Sequence, residues 1–371
     1  MKTSVTFEGL TKKFEDVVAV NHLDLKIKEG EFFALLGPSG CGKTTTLRLI
    51  AGLEDPTQGS IYLNDEDVTS APPKERDVAM VFQDYALYPH MTISENIGYP
   101  LKVRGTPEEE KQERVREAAE NLQISELLDR RPNQLSGGQQ QRASVARALV
   151  HEPSVFLFDE PLSNLDARLR IEARTFLRHL QKKLGITTVY VTHDQSEALA
   201  LADRIAIMQT GEIRQINEAQ EVYHRPSDTF VANFVGSPPM NLITCKLFSE
   251  NNALGLDVEG EKIRLPKLDE SLQKPMKEYE ELILGIRPEN MTISLFDNLG
   301  DSSPSLTGEI YTVETLGAEV LFSVKVGDSI LRIREMASDA ASKLAVGDNV
   351  GVEFDKEKVL FYDPETETLI K

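Results

Sequence analysis

Residues 32–53 read FFALLGPSGCGKTTTLRLIAGL. A short apolar run ends in a glycine-rich loop, and the residues after it place Leu47, Ile50 and Leu53 at helical spacing. The loop, Gly37 to Thr44, fits G-x-x-x-x-G-K-[ST], and strand, loop, helix is the setting in which that spacing holds phosphate. Gly37, Pro38, Ser39, Gly40, Cys41 and Gly42 supply a backbone whose N–H groups turn inward around phosphate oxygens. Lys43 adds a point charge for the β- and γ-phosphates, Thr44 offers a hydroxyl to Mg²⁺, and Thr45 reaches the α-phosphate. The helix that follows directs its positive end at the ligand, so ATP with Mg²⁺ is the expected occupant. Cys41 lies at that helix start, a position that favours thiolate.

The pattern around this loop repeats. Upstream, VTFEGL (5–10) and VVAV (17–20) read as short strands, with a turn at Gly30 before FFALL. Downstream, VAMVF (78–82), SVFLFDEP (154–161), TTVYVTHD (187–194) and RIAIM (204–208) read as buried strands with helix-like stretches between them. Residues 106–130 are charged and carry Val115, Ala118, Ala119 and Leu122 at helical spacing. The alternation predicts an α/β domain with a mainly parallel sheet and functional residues at the carboxyl ends of its strands.

After about Val235 the character changes. GSPPMN (236–241) reads as a linker. In EVLFSVKVGDSILRIR (319–334), Val320, Phe322, Val324 and Val326 share one face and Gly327-Asp328 makes a tight turn; Gly347-Asp348 makes another. A small antiparallel barrel of roughly 130 residues is expected here. The organisation is then an ATPase domain over 1–235, with a helical subdomain at about 88–150, and an all-β domain over 236–371.

Bulk properties agree. A chain of 371 residues with 40% apolar content suits two domains, each with an ordinary core. A net charge of −19 argues against nucleic-acid binding through bulk electrostatics. MKTSVTFEGL has no apolar signal region, and no apolar run is long enough to span a bilayer. Two cysteines, Cys41 and Cys245, give no disulfide framework, which fits a reducing cytoplasm.

Further residues acquire meaning beside the loop. Asp159 ends a buried strand, where a carboxylate can hold Mg²⁺ through water. Glu160 projects differently and can polarise an attacking water. Without the phosphate loop, an acidic helix cap would explain both. His193 and Gln83 also end strands and would meet at one ligand edge if those strands are neighbours. Phe14 can stack on adenine or serve as a core aromatic. His22, His90, His151, His179 and His224 read as surface or packing residues. Residues 134–142, QLSGGQQQR, form a second glycine-rich loop without a lysine. In isolation this is Ser136 capping a helix from about Gln139 to Leu149.

Taken in chain order, these residues resemble the ATP-binding subunits of ABC transporters. In that family Phe14 is the adenine-stacking aromatic, Gly37–Thr44 the Walker A loop and Gln83 the Q-loop glutamine. Leu135–Gln139 is the signature loop, Asp159 the Walker B aspartate, Glu160 the catalytic glutamate, Ser163–Asp166 the D-loop and His193 the switch histidine. ERDVAMVFQDYALYPHMT, FDEPLSNLDARLR, GSPPMN and LGIRPEN resemble the branch that serves maltose-type sugars, other oligosaccharides and glycerol phosphate, whose regulatory domain is OB-like. Phe14 departs from the Tyr or Trp of many relatives.

The resemblance implies ATP hydrolysis coupled to solute import, with Glu160, His193, Gln83 and Lys43 catalytic and Thr44, Gln83 and Asp159 around Mg²⁺. It implies a head-to-tail homodimer, each ATP lying between one chain's Lys43 loop and the other's Ser136, Gly137, Gly138 and Gln139, with Asp166 nearby. It implies permease subunits docked near the Q-loop and residues 88–150, an extracytoplasmic solute-binding protein, and a peripheral place on the cytoplasmic side of the plasma membrane. An iron, sulfate or polyamine importer is the alternative. A DNA-repair ATPase of the same superfamily would need coiled-coil inserts and a basic surface, and the sequence has neither. A nucleic-acid-binding barrel fits poorly with the acidic chain and the lack of clustered aromatics in 236–371.

Overall fold

The computed structural model describes residues 3–250, 253–265, 276, 279–295, 306–339 and 341–370. Its contacts divide into two compact units, one ending at Gln220 and the other beginning at Glu221.

The first unit opens with a long hairpin, β1 (Thr3–Phe14) and β2 (Val17–Lys28). Then come β3 (Phe32–Leu36), α1 (Lys43–Ala51), β4 (Gln58–Leu63), β5 (Glu66–Asp67) and β6 (Val78–Val81). Three helices follow, α2 (Ile93–Val103), α3 (Glu108–Asn121) and α4 (Gly137–Leu149). The unit closes with β7 (Val155–Asp159), α5 (Ala167–Leu184), β8 (Thr187–Thr192), α6 (Gln195–Leu201), β9 (Arg204–Gln209) and β10 (Glu212–Glu218).

These strands make two sheets. One is antiparallel, in the order β2-β1-β4-β5. The other runs β10-β9-β3-β8-β7-β6, parallel from β9 to β6, with β10 added antiparallel at one edge. Sequence patterning does not separate the two sheets, because period-two runs mark a strand without marking its neighbour. Every residue of β3, β7 and β8 is buried, as expected for parallel strands covered on both faces. Alternate side chains serve opposite faces. Phe32, Phe156, Phe158 and Tyr190 pack with Ile97 of α2, Ala119 of α3, Ala146 of α4 and Leu177 of α5. Phe33, Leu35, Leu157 and Val189 pack with Leu47 and Ile50 of α1 and with Val5 and Phe7 of the antiparallel sheet.

Two helix limits differ from the sequence reading. Leu53 lies beyond α1 and is 47% exposed, because Gly52 at φ 72° caps the helix in the left-handed region. Within 106–130 the helix stops at Asn121, and Gln123 at φ 55° turns the chain.

In the second unit α7 (Ala219–His224), which begins just before it, and α8 (Thr229–Phe234) precede an all-β region. Its strands are β11 (Asn241–Glu250), β12 (Ala253–Val258), β13 (Glu261–Arg264), β14 (Glu281–Ile286) and β15 (Met291–Leu295). They continue as β16 (Leu306–Thr315), β17 (Glu319–Val326), β18 (Ser329–Met336), β19 (Asn349–Phe354) and β20 (Leu360–Tyr362). They form two five-stranded sheets, β13-β12-β11-β14-β20 and β15-β19-β16-β17-β18, with every pairing antiparallel and one shared core. Val320, Phe322, Val324 and Val326 all point into it, and Val326 pairs with Ser329 across the Gly327-Asp328 turn. The α/β expectation and the all-β expectation hold in their respective units. The segment 221–235 is bound to the second unit through Arg287. This buried guanidinium donates to the carbonyls of Tyr223, Ala232 and Val235 and lies over the Tyr223 ring.

Candidate nucleotide site

The parallel sheet brings the expected residues to one edge. β3, β8, β7 and β6 run the same way, so the phosphate loop, His193, Asp159-Glu160 and Gln83 all leave it at the carboxyl ends. Gln83 and His193 do not leave adjacent strands. β7 lies between β6 and β8, which puts the acidic pair between the glutamine and the histidine.

The phosphate loop is shaped by its own chain. A side chain on Gly37 would strike the Met208 carbonyl at 2.4 Å, and one on Gly42 would strike the Ala19 carbonyl at 2.2 Å. Gly42 also sits at φ 106° as the residue before α1, and Gly40 has φ 80°. Pro38, Ser39 and Gly40 are exposed, while Lys43 is 5% exposed with its ammonium curled inside the loop. There it donates to the carbonyls of Gly37 (2.8 Å) and Pro38 (3.0 Å). Thr45 is half-buried beside it.

Cys41 does not behave as its position suggests. It is 3% exposed, and burial pushes its thiol up despite the Lys43 charge nearby. Desolvation outweighs the helix start.

Two polar pairs stand beside the loop. The Thr44 hydroxyl donates to Asp159 Oδ1 at 2.9 Å. Burial raises the Asp159 carboxyl above the usual range; the Thr44 hydrogen bond opposes this and the neighbouring Glu160 charge adds to it. Glu160 Oε2 lies 3.0 Å from His193 Nδ1. Glu160 has φ 45°, a strained backbone for a residue with a side chain, and its N–H donates to the Val191 carbonyl of β8. That twist gives Asp159 and Glu160 their different directions.

Phe14 ends β1 and is 42% exposed. The Lys12 ammonium lies 4.7 Å over its ring. At the second glycine-rich loop the Ser136 hydroxyl accepts from the Gln139 N–H, and the Gln139 side chain accepts from the Ser136 N–H. This capping box starts α4 at Gly137, two residues earlier than the sequence suggests. Asp166 caps α5 through the Leu169 N–H.

Some contacts escaped the sequence reading. Asn164 donates to the Gln83 carbonyl at 2.8 Å. Beyond Gln83, Tyr85 and Ala86 both have positive φ, and their carbonyls accept from Ser144 and Arg147 of α4. The available signal was an arginine within the buried run ASVARAL, where an unpartnered charge would be costly.

A phosphate loop, a strand-end Asp-Glu pair, a histidine on the neighbouring strand and a separate capped glycine loop define a P-loop ATPase of the ABC type. Comparison with known families agrees. Residues 20–163 match the ABC transporter family, 236–291 the MalK OB fold domain and 284–361 the TOBE domain. The trehalose/maltose import ATP-binding protein MalK of Thermococcus litoralis is 46% identical over 362 residues, 96% of each chain. The sn-glycerol-3-phosphate import ATP-binding protein UgpC of Bordetella avium is 44% identical over 367 residues, 98% of each. The diacetylchitobiose uptake system ATP-binding protein MsiK of Streptomyces coelicolor is 42% identical over 352 residues, 90% of this chain and 92% of that one. A dimeric post-hydrolysis structure of the ATP-binding cassette MJ0796 bound to ADP and Pi is 33% identical with a TM-score of 0.52, covering 58% of this chain and 98% of that one. The chain belongs to the family of ABC transporter ATP-binding subunits, of the kind that ends in OB and TOBE domains, and it is an ATP-hydrolysing, energy-coupling subunit.

Proposed function

We propose that two copies of this chain, facing head to tail, hydrolyse ATP and drive the permease subunits of an importer for oligosaccharides, related sugars or glycerol phosphate. The observation that carries this reading is the pairing of Glu160 with His193 at 3.0 Å, on the sheet edge that also holds Lys43, Thr44 and Asp159.

Each residue then has a task. Lys43 exchanges its carbonyl partners for β- and γ-phosphate oxygens. Glu160 takes a proton from the attacking water as oxygen bonds to the γ-phosphorus and the bond to the ADP oxygen breaks. His193 orients Glu160 through Nδ1, and its ring steadies the charge developing on phosphate. Gln83 approaches the same edge, its backbone held by Asn164. Phe14 offers its exposed ring to adenine.

The residues present suit Mg²⁺. Thr44 and Asp159 bring two hard oxygen donors together at 2.9 Å, and a cation there would relieve the buried carboxylate. Thr44 would hold the ion, with Asp159 and Gln83 beside it. Among the described residues no cluster of three or more His, Cys, Asp or Glu is placed to hold a metal. When bound, Mg²⁺ neutralises charge on the β- and γ-phosphates.

The head-to-tail arrangement is supported by the second loop. A side chain on Gly138 would meet only Leu169 Cδ2, at an ordinary 3.9 Å. Nothing within the chain demands glycine there. An ATP carried by the facing copy would, because it approaches the N–H groups at the start of α4, near Ser136, Gly137, Gly138 and Gln139. Asp166 caps α5, the helix whose Leu169 lies beside Gly138.

The catalytic domain is taken as 1–235 in sequence, with its helical part at about 88–150, and the regulatory domain as 236–371, although residues 221–235 are held to the second compact unit by Arg287. No helix among the described residues is long and apolar enough to cross a membrane. By analogy with importer ATP-binding relatives, the chain acts from the cytoplasmic side of the plasma membrane, bound to permeases that receive solute from an extracytoplasmic binding protein. The three named relatives serve sugars or glycerol phosphate, which favours those cargoes over iron, sulfate or polyamine.

Uptake of labelled sugars, glycerol phosphate, sulfate and ferric iron, in cells carrying Glu160→Gln in this chain, tests the reading. Loss of a sugar or glycerol-phosphate flux alone is expected. Loss of sulfate or iron uptake alone would overturn the cargo, and unchanged ATPase activity of the purified variant would overturn the chemistry.

A further inference from the structure

His193 is flanked by residues that are themselves tied down, and two of the ties lead to side chains with no assigned role. On one side, the Thr192 hydroxyl donates to Glu197 Oε2 at 2.8 Å and accepts from the Asp194 N–H at 2.9 Å. Glu197 is 3% exposed, and the same oxygen also accepts from the Tyr190 hydroxyl at 2.8 Å. On the other side, Asp194 Oδ2 accepts from Arg170 Nη1 at 3.3 Å. Arg170 belongs to α5, just past the D-loop, and its Nη2 donates to the Leu165 carbonyl in that loop at 3.2 Å. Its third nitrogen is incompletely used. Nε is buried without a hydrogen-bond partner, and Glu197 Oε1 is 3.8 Å away.

We propose that Arg170 and Glu197 are positioning residues for His193, forming a link through which the D-loop sets the placement of the switch histidine. One guanidinium touches Leu165 in the D-loop and Asp194 beside His193, and it faces the carboxylate that anchors Thr192. A buried donor at 3.8 Å from a buried carboxylate is a contact with one step left to close. A shift of the D-loop of about 1 Å would bring it within hydrogen-bond reach. That closure would pull Thr192 and Asp194 together around His193 and fix its Nδ1 against Glu160. The inference rests on the hydrolytic role proposed for His193.

The test uses full-length protein labelled with ¹⁵N-histidine, with the His193 resonance assigned by its loss in His193→Ala. Arg170→Ala should lower turnover by about 10–100-fold, the scale of a misplaced catalytic group, and leave KM for ATP within about twofold. The His193 ring resonance should move while those of the other histidines stay. Glu197→Gln keeps an acceptor for Tyr190 and Thr192 but removes the charge facing Arg170, so it should shift the same resonance with a smaller loss of turnover. Arg170→Lys should restore part of the activity. If Arg170→Ala unfolds, so that every histidine resonance collapses, Glu197→Gln decides. An unmoved His193 resonance in the folded variants, or a loss expressed in KM alone, would overturn the inference. Parental turnover in His193→Ala would instead remove the hydrolytic role and this inference with it.

Discussion

The phosphate loop and the signature loop both bring glycines to the start of a helix, and their surroundings are opposite. Around Gly37 and Gly42 the chain itself leaves no room, with carbonyls at 2.4 and 2.2 Å from where a Cβ would sit. Around Gly138 the nearest atom is at 3.9 Å. The helix starts differ as well. α1 begins after Gly42 with no side-chain cap on its first N–H groups. α4 begins with a complete capping box from Ser136 and Gln139. One loop has its shape imposed from within, for a nucleotide of its own. The other is finished as a helix start; there a Cβ on Gly137 would crowd Leu165 at 3.1 Å, while Gly138 makes sense when something approaches from outside.

Four measurements can break or sharpen this contrast. The largest effect belongs to the chemistry beside the first loop. Glu160→Gln should lower phosphate release by about 10²–10⁴-fold while ATP still binds. Near-parental turnover would mean that another residue activates the water.

Next come matched glycine substitutions. Gly37→Ala forces the loop away from Met208 and should cost about 1–3 kcal/mol in urea unfolding, with ATP binding lost. Gly138→Ala should leave unfolding within about 0.5 kcal/mol of the parent, yet lower ATPase activity. Equal destabilisation by both would erase the distinction between the loops.

A smaller effect tests the strain carried by the first site. Asp159 keeps its proton to higher pH in the folded chain than in the unfolded one, so folding is penalised once the group ionises. The penalty grows as pH rises through the Asp range and is full at neutral pH. Asp159→Asn, which still accepts from Thr44, should therefore stabilise the nucleotide-free protein near neutral pH, with the gain shrinking as pH falls through the Asp range and gone below it, while ATPase activity is lost. Destabilisation at neutral pH would show that the ionised carboxylate helps the fold.

The smallest effect concerns the thiols. Cys41 and Cys245 are both buried, and burial raises both thiols, Cys245 to about 12. A maleimide should label neither within minutes in native protein, and both in denaturant. Rapid labelling of Cys41 that MgATP prevents would mean that the loop opens readily.

The first loop was legible because its chemistry and its fold coincide. Lys43, Thr44 and the glycines are spaced for one ligand, and a strand and a helix flank them in sequence. Asp159 and Glu160 were legible as a strand end, though the positive φ that separates their directions was not. Cys41 was misread, because the helix start is visible in sequence and the burial is not. The order of strands was also invisible, so whether Gln83 and His193 leave neighbouring strands stayed open in the sequence; β7 divides them. The links through Arg147, Arg170 and Glu197 join residues from 5 to 62 positions apart through single side chains, and no local pattern announces them.

The most direct test asks whose nucleotide the second loop touches. The parent is the full-length chain with Glu160→Gln, in which hydrolysis cannot discharge a closed ATP sandwich. Binding and release of a fluorescent ATP analogue with Mg²⁺ are followed by stopped flow. Gly138→Asp adds a carboxylate where the facing γ-phosphate should lie, and two unit charges 4 Å apart at an effective dielectric of about 20 repel by about 4 kcal/mol. The account predicts that Gly138→Asp leaves initial binding within about threefold of the parent and abolishes the slowly releasing, sandwiched population, whereas Lys43→Ala weakens initial binding itself. If Gly138→Asp weakens initial binding as severely as Lys43→Ala, both loops hold one nucleotide within a single chain, and the head-to-tail account is contradicted.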